Sequence, residues 1–397
     1  MNEAVKCLIN YMNEIELSIV IPCLNEADTL ATCLKKCQTV MQRHGLAAEV
    51  IVADNGSTDV SLDIARAHGA RVVPVQNKGY GSALMGGIEQ ARGRYILMAD
   101  ADDSYDFLET MKFLEKIREG YDLVQGCRLP WGGGTVNPGA MPWSHRWIGN
   151  PMFSTFCRTW FGAPIHDVYC GMRMFSKSFY QSLDQQCTGM EFATEMIIKA
   201  SLFKARIAEV PITLHKDGRI AHPPHLKTVR DGWRTLRFFL LYSPRWLFLI
   251  PGALLILLGL LAYGLALPGV AINGITFDLH TLLYGSVMMV CGYQSILFAV
   301  MTKTFAMNER LMPEDPRLLG FFKVFYLERG VTLGALAFVV GLGVLFWSLN
   351  LWRVSGFGAL DYAYSMRRVI PSALLIILGF QTVMFSFFVS ILGLAKR

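Results

Sequence analysis

Three short clusters of acidic and amide residues carry the chemistry open to this chain. The sharpest is Asp100-Ala101-Asp102, which follows the apolar run Tyr95–Ala99. Two carboxylates spaced this way at a strand end can hold one Mg²⁺ or Mn²⁺ against a diphosphate. The second cluster is Asn25-Glu26, just after Leu17–Pro22. The third is Asp54-Asn55-Gly56-Ser57, which ends the run Val50–Asp54. A lone acidic pair is common in loops; polar tips recurring on three apolar runs carry more weight. Asp54 keeps a second reading, because a carboxylate before Asn-Gly-Ser also bonds the turn that follows it.

Such tips need a frame that gathers strand ends. Apolar runs of strand length alternate with helical periods: Leu17–Pro22 and a helix to about His44, Val50–Asp54 and a helix from Ser61, Arg71–Val75 and Gly81–Ala91, Tyr95–Asp100 and Phe107–Arg118, then Asp122–Gly126. Strands that are apolar throughout predict an α/β domain, Rossmann-like, with a mainly parallel sheet covered on both faces. Ligands of such sheets bind at the carboxyl ends of the strands. Gly79-Tyr80-Gly81 begins a GxG pattern, but it follows the third strand, and Ser82-Ala83-Leu84 lacks the third glycine. The dinucleotide fingerprint fails, and a tight turn opening a helix is the better reading.

Composition divides the chain. It is 53% hydrophobic and 17% charged, with mean hydropathy +0.36, too apolar for a soluble protein of 397 residues. Four stretches, Trp246–Leu267, Thr281–Met301, Val331–Leu351 and Val369–Leu394, are long and apolar enough to cross a bilayer. None has Asp, Glu, Lys or Arg in its interior, so they read as an anchor and not as an ion-coupled path. Tyr293, Gln294 and Gln381 are their polar exceptions, explained by bonds between helices. The connection after the second span holds Lys303, Arg310, Arg317, Lys323 and Arg329, the tail ends Lys396-Arg397, and the Pro268–His280 loop has no Lys or Arg. Arg353, Arg367 and Arg368 make the Trp352–Arg368 loop a weaker violation. The balance puts the first domain and both termini in the cytoplasm, at an inner membrane. The expected organisation is an N-terminal extension over 1–16, a catalytic domain over 17–227, a juxtamembrane helix over 228–245 and a transmembrane domain over 246–397.

Other residues that invite a chemical role are weaker. The nine cysteines have no zinc or redox spacing and read as reduced thiols. His215, His222 and His225 have no helical or finger spacing, with Pro223-Pro224 between the last two, so zinc is not expected. Two stretches suit a headgroup layer. Trp143, Trp147, Phe153, Phe156, Trp160 and Phe161 interleave with His145, Arg146 and Arg158. Arg230, Arg234 and Arg237 form one stripe of a helix over Thr228–Tyr242, beside Val229, Trp233, Leu236 and Leu240. Each stretch can instead be a helix packed on the domain itself.

Taken in order, Leu17–Pro22, Asn25-Glu26, Asp54–Asp59 and Asp100-Ala101-Asp102 resemble family 2 inverting glycosyltransferases of the GT-A fold. Gly126-Cys127-Arg128, Asp167 with Cys170–Arg173, Glu191 through Glu195, and Glu209-Val210-Pro211 narrow the resemblance to enzymes acting on polyprenyl phosphates: dolichol-phosphate mannose synthases and undecaprenyl-phosphate glucosyl- or aminoarabinosyltransferases. The membrane half is similar in architecture only. The resemblance implies that Pro22, Asn25 and Glu26 line a nucleoside pocket, with Asp54 reaching the base. Asp100 and Asp102 would hold Mg²⁺ or Mn²⁺ on the diphosphate. Arg219 would meet the donor phosphates, and Arg128 and Arg146 the acceptor phosphate. Mannose synthases of the group often place a Gln two residues after the second aspartate; Ser104 stands there.

The activity implied is transfer of a hexose from a nucleotide sugar, UDP-glucose before GDP-mannose, to undecaprenyl or dolichyl phosphate. Partners are therefore the nucleotide sugar, the lipid and the membrane, with no nucleic acid and a homo-oligomer left open. The lean to UDP-glucose rests on Asp100–Asp106 and His215–His225, which are similar to polyprenyl-phosphate glucose synthases. A processive polysaccharide synthase is the nearest rival, but Thr194-Glu195-Met196 and Arg230-Asp231-Gly232-Trp233-Arg234 do not match that group's motifs. A non-catalytic nucleotide-sugar-binding subunit is the other alternative, against which the intact acidic tips argue.

Overall fold

The computed structural model describes residues 15–219, 228–309 and 311–394. Cys7, His222, His225, Arg310 and the Lys396-Arg397 tail lie outside the described residues, as do most of the 1–16 stretch and the side chain of Arg230. The chain forms two compact units, residues 1–239 and 240–397.

In the first unit, β1 (Leu17–Cys23) is an interior strand of the sheet, and Leu17, Ile19, Val20 and Ile21 are wholly buried. A strand covered on both faces needs apolar residues at consecutive positions, not alternation. It is followed by α1 (Leu30–His44), β2 (Ala48–Asp54), α2 (Ser61–Ala67), β3 (Arg71–Pro74), α3 (Tyr80–Gln90), β4 (Tyr95–Met98), α4 (Thr110–Arg118) and β5 (Leu123–Cys127). Helix α1 buries Leu30, Cys33, Leu34, Cys37 and Val40 along one face, so Cys33 and Cys37 are core residues. All eight described cysteines are free thiols.

Beyond β5 the chain makes a short β6 (Thr135–Val136) and α5 (Asn150–Phe156), then returns as β7 (Arg173–Ser176). α6 (Lys177–Leu183), α7 (Phe192–Leu202), β8 (Ile207–Pro211) and β9 (Thr213–Leu214) follow, and α8 spans Thr228–Leu241. The sheet has seven strands in the order β3-β2-β1-β4-β7-β5-β8. β7 runs antiparallel to both neighbours, and every other pairing is parallel. This is a GT-A architecture with one reversed strand that the alternation of apolar runs does not reveal. β7 opens on Arg173, wholly buried, whose Nη1 donates to the Ala193 carbonyl at 2.6 Å and Nη2 to that of Cys170 at 2.7 Å. A buried arginine breaks the apolar signature of a strand.

α3 opens on a tight turn, as the glycines imply. Gly79 has φ +134°, and a Cβ on Gly81 would come within 2.5 Å of the Cys187 carbonyl oxygen.

The second unit contains α9 (Ile250–Ala266), α10 (Leu279–Asn308), α11 (Pro316–Val324), α12 (Leu327–Val354) and α13 (Tyr362–Leu394). Among the described residues, four stretches are long and apolar enough to span a membrane: Arg245–Ala266, Leu279–Asn308, Leu327–Val354 and Tyr362–Leu392. α9 packs on α10 and α12 on α13 through glycines. A Cβ on Gly252 would meet the Gly292 carbonyl oxygen at 2.7 Å, and one on Gly334 that of Gly379 at 2.8 Å. Small residues let backbones approach where lipid gives helices no reason to bury apolar surface. The last helix begins at Tyr362, well before Val369, so Arg367 and Arg368 are helical. Arg367 pairs with Asp278 at 3.0 Å, and Arg368 lies over the Tyr364 ring at 3.3 Å. Two of the three arginines that counted against the loop are locally answered. Tyr293 bonds across to Thr382 at 2.6 Å, whereas the buried Gln381 Oε1 has no partner.

Candidate active site

The parallel strands β1, β2 and β4 end at one edge of the sheet, and the register sets Cys23 beside Asp54. After β1, beyond the half-buried Pro22, Asn25 takes a left-handed φ of +59°. Its Oδ1 accepts from the Thr58 N–H at 2.8 Å, and its own N–H donates to Ser57 Oγ at 3.0 Å. The N–H of Glu26 donates to Ser61 Oγ at 2.9 Å. The β1 and β2 tips are thus stitched together. Asp54 is buried and accepts from the N–H groups of Gly56 at 3.1 Å and Ser57 at 2.9 Å. Its second reading, as the residue that holds its own turn, is a fact of the structure.

Asp100 and Asp102 follow β4. Tyr80 donates to Asp100 Oδ1 at 2.9 Å, and a Cβ on Gly171 would fall 2.7 Å from Asp100 Oδ2. A side chain at 171 would have to displace that carboxylate. Asp102 Oδ1 accepts from both the N–H and the hydroxyl of Ser104, at 3.0 and 2.6 Å. Ser104, where a metal-contacting Gln is usual in the resembled group, orients the carboxylate instead.

Arg219 sits among three carboxylates. It meets Asp102 Oδ2 at 2.8 Å, Glu26 Oε1 at 3.2 Å and Asp217 Oδ2 at 3.0 Å. The Gly218 N–H donates to the Asp102 carbonyl at 3.0 Å, which lays this segment along the acidic loop. Burial, and then Asp102, push the Asp100 carboxyl up to about 6. Burial pushes Glu26 up to about 7 against the pull of Arg219. One cation facing four carboxylates leaves an excess of negative charge that a divalent ion would relieve. No group of three or more His, Cys, Asp or Glu could hold a metal among the described residues. Mg²⁺ is commonly held by one or two carboxylates plus substrate phosphates, so Asp100 and Asp102 fit it as hard oxygen donors.

Arg128 is buried. Its Nε and Nη2 clamp Asp167 at 2.7 and 2.8 Å, and Nη1 donates to Tyr105 Oη at 3.3 Å. Burial alone opposes its charge, but Asp167 more than restores it and holds the guanidinium pKa well above its ordinary value. Tyr105 Oη also accepts from the Gly171 N–H at 2.7 Å, linking the arginine to the strand beside Asp100. The glycines at 132–134 pack down: a Cβ on Gly134 would overlap the Cys127 carbonyl oxygen.

Arg146 stands apart from these contacts. Its guanidinium lies 5.4 Å from the centre of the Trp147 ring, and its buried Nε lacks a partner. The aromatic stretch is two-faced. Trp143, Trp147, Ile148 and Met152 are exposed, while Phe153 and Phe161 bury against Phe239 of α8 at 5.8 and 5.6 Å. On α8 Thr235 and Phe239 are buried, and Trp233 is exposed with Arg234 and Arg237. Glu195 is fully buried with Lys199 at 2.8 Å, and it accepts from the Cys187 N–H. His215 bonds to Asn137 at 3.2 Å. Tyr80, Tyr105 and the clamping role of Asp167 escape sequence reasoning, because their partners lie far along the chain; Asp217 escapes it although its partner Arg219 is two residues on.

Two family models match the chain: glycosyl transferase family 2 over residues 18–184, and the glycosyltransferase family 2 C-terminal transmembrane region over 300–393. A low-salt glycan biosynthesis hexosyltransferase, Agl6, of Haloferax volcanii is 37% identical, over 95% of this chain and 89% of that protein. A dolichyl-phosphate hexose transferase of the same organism is 31% identical, over 50% of this chain and 82% of its own. An undecaprenyl-phosphate 4-deoxy-4-formamido-L-arabinose transferase of Klebsiella pneumoniae is 29% identical, over 52% of this chain and 61% of its own. A solved glucosyl-3-phosphoglycerate synthase of Mycobacterium tuberculosis shares 21% identity with a TM-score of 0.46, over 57% of this chain and 78% of that one, too distant to carry residue roles.

Proposed function

Since the chain belongs to glycosyltransferase family 2 and is a membrane glycosyltransferase, we propose that it moves a hexose from a nucleotide sugar to a polyprenyl phosphate with inversion. The observation that carries the reading is the meeting of Glu26, Asp102 and Asp217 around Arg219 at the sheet edge, with Asp102 two residues from Asp100. UDP-glucose is the favoured donor, GDP-mannose the next, and undecaprenyl or dolichyl phosphate the acceptor. The relatives' names support the lipid acceptor.

Pro22, Asn25 and Glu26 line the nucleoside side of the site, with Asp54 shaping the turn that faces the base. Mg²⁺ or Mn²⁺ on Asp100 and Asp102 would neutralise charge on the departing diphosphate. In the free protein Arg219 answers Asp102; the donor phosphates draw Arg219 away and release that carboxylate. An oxygen of the lipid phosphate attacks the anomeric carbon as the bond from that carbon to the diphosphate oxygen breaks. The acceptor is already anionic at neutral pH, so no strong general base is required. Arg128 and Arg146 supply positive charge on the acceptor side. The organisation proposed is a catalytic domain over 17–227, a juxtamembrane helix over 228–245 with Arg230, Arg234 and Arg237 towards anionic headgroups, and spans from 246 onward. The catalytic domain and both termini are on the cytoplasmic side of an inner membrane.

The test is purified protein in detergent with undecaprenyl phosphate, Mn²⁺ and a panel of labelled nucleotide sugars. A cation-dependent, acid-labile lipid-linked monosaccharide supports the reading. Polymer formation, or no lipid-linked product with any donor, overturns it. For topology, a C-terminal phosphatase active only outside the cytoplasm should stay silent.

A further inference from the structure

Resting on that reading, we propose that the cleft bordered by Trp131, Trp147, Pro151, Arg158 and His166 receives the phosphate and first isoprenoid units of the acceptor, and that Arg128 acts as a positioning residue behind it. The cleft encloses about 470 Å³, within the range of small-ligand sites. Trp131 and Trp147 form one wall with ring centroids 5.9 Å apart, and both rings are nearly half exposed. Large apolar faces left open beside cations suit an amphiphile, not a free sugar phosphate.

The charge in the cleft has one sign. Arg158 donates to Thr155 Oγ1 at 3.1 Å and is in no ion pair among the described residues. His166 engages Glu209 through Nδ1 at 2.7 Å, which leaves Nε2 for a ligand. Arg146 covers the Trp147 ring with its buried Nε–H unpartnered. Glu209 is the neighbouring carboxylate, and its charge is already spent on the His166 ring and on the N–H groups of His166 at 2.7 Å and Asp167 at 3.1 Å. A phosphate monoester there would meet the Arg158 guanidinium without an opposing free carboxylate.

The cleft borders the Arg128 clamp. His166 lines it, and Asp167, next in sequence, clamps Arg128 with two nitrogens. With its fork committed to Asp167, Arg128 is poorly placed to grip a phosphate bidentately. It fixes the wall of which His166 is part; Arg158 makes the contact, joined by the Nε2–H of His166 in its imidazolium form.

The test uses the full chain in neutral detergent, with farnesyl phosphate as the probe and farnesol and inorganic phosphate as comparison arms in calorimetry. Farnesyl phosphate should bind more tightly than either comparison compound, because the site needs both charge and chain. Arg158→Gln and Trp131→Ala should each weaken farnesyl phosphate by about tenfold and raise KM for the lipid acceptor, with kcat and nucleotide binding unchanged. Arg158→Lys should recover part of the loss. Unchanged farnesyl phosphate affinity in both variants overturns the assignment, as does inorganic phosphate binding as tightly as the lipid. Failure of the wild type to make any lipid-linked sugar would sink the functional reading, while the calorimetry still decides whether this cleft binds a lipid phosphate.

Discussion

The two units of this molecule hold their residues in place by opposite means. In the first, polar side chains at the sheet edge are fixed by hydrogen bonds: Asp54 to its own turn, Asp102 to Ser104 and Arg219, Arg128 to Asp167. Burial from water provides the drive, and each polar group carried inward must find a partner. In the second unit, Gly252, Gly259, Gly334 and Gly341 bring backbones so close that a Cβ would meet the facing chain at 3.0 Å or less. There, contact distance does what burial does in the first unit. Substitutions should therefore fail differently: by charge and pairing in the catalytic unit, by volume in the spans.

The largest effect expected is on chemistry alone. Asp102→Asn keeps the shape and the Ser104 bonds but removes charge beside Arg219 and the cation. Turnover should fall by several orders of magnitude with little change in thermal unfolding, read by initial rates beside a melting curve. A matching loss of stability would show that the charge holds the fold.

Next comes pairing. Arg128→Ala leaves the fully buried Asp167 without its counter-charge. It should cost about 3–5 kcal/mol in denaturant unfolding, while Arg128→Met with Asp167→Leu together should cost much less. If the single substitution is harmless to stability, the clamp is not what holds this wall.

Volume follows. Gly334→Leu would drive a side chain into the Gly379 carbonyl, whereas a Cβ at Gly343 meets nothing within 4 Å. The first should destabilise the helix pair by about 1–3 kcal/mol and the second hardly at all, by unfolding in mixed micelles. Equal effects would dissolve the distinction between the two units.

The smallest concerns pH. Burial raises the Glu49 pKa, but its bonds to Arg71, the Arg92 N–H and Ser18 outweigh burial and hold the carboxyl below its ordinary value. A pKa lowered on folding contributes stability that is present above the unfolded value, near about 4.3, and is lost as pH falls through the folded one. Glu49→Gln should remove about 1 kcal/mol at neutral pH and flatten the acid side of the stability profile. An unchanged profile would mean that other carboxylates govern it.

Legibility in the sequence tracked how local each cause is. β1, β2 and β4 could be read because strands covered on both faces are apolar in succession, and their polar tips stood out against that background. β7 could not, because Arg173 is answered by the carbonyls of Cys170 and Ala193, the latter twenty residues away. What holds Arg128 was hidden, because its partner Asp167 lies 39 positions on. The caging of Arg219 joins residues 26, 102 and 217, a meeting only the fold can make. Ser104 was visible as a departure, but its bond to Asp102 was not. The spans were legible by length and hydropathy, while the early start of α13 was hidden by the charges of Arg367 and Arg368.

In the proposed mechanism the donor's diphosphate draws Arg219 from Asp102, and that carboxylate would then be free to hold the divalent cation. Titration of Mn²⁺ into the protein, followed by electron paramagnetic resonance with and without UDP, tests it directly. The wild type should bind Mn²⁺ weakly alone and at least about tenfold more tightly with UDP. Arg219→Gln should bind Mn²⁺ better alone yet lose most of the gain from UDP, and Asp102→Asn should bind poorly in both conditions. Mn²⁺ affinity indifferent to UDP in the wild type, or unaltered in Asp102→Asn, would contradict the account.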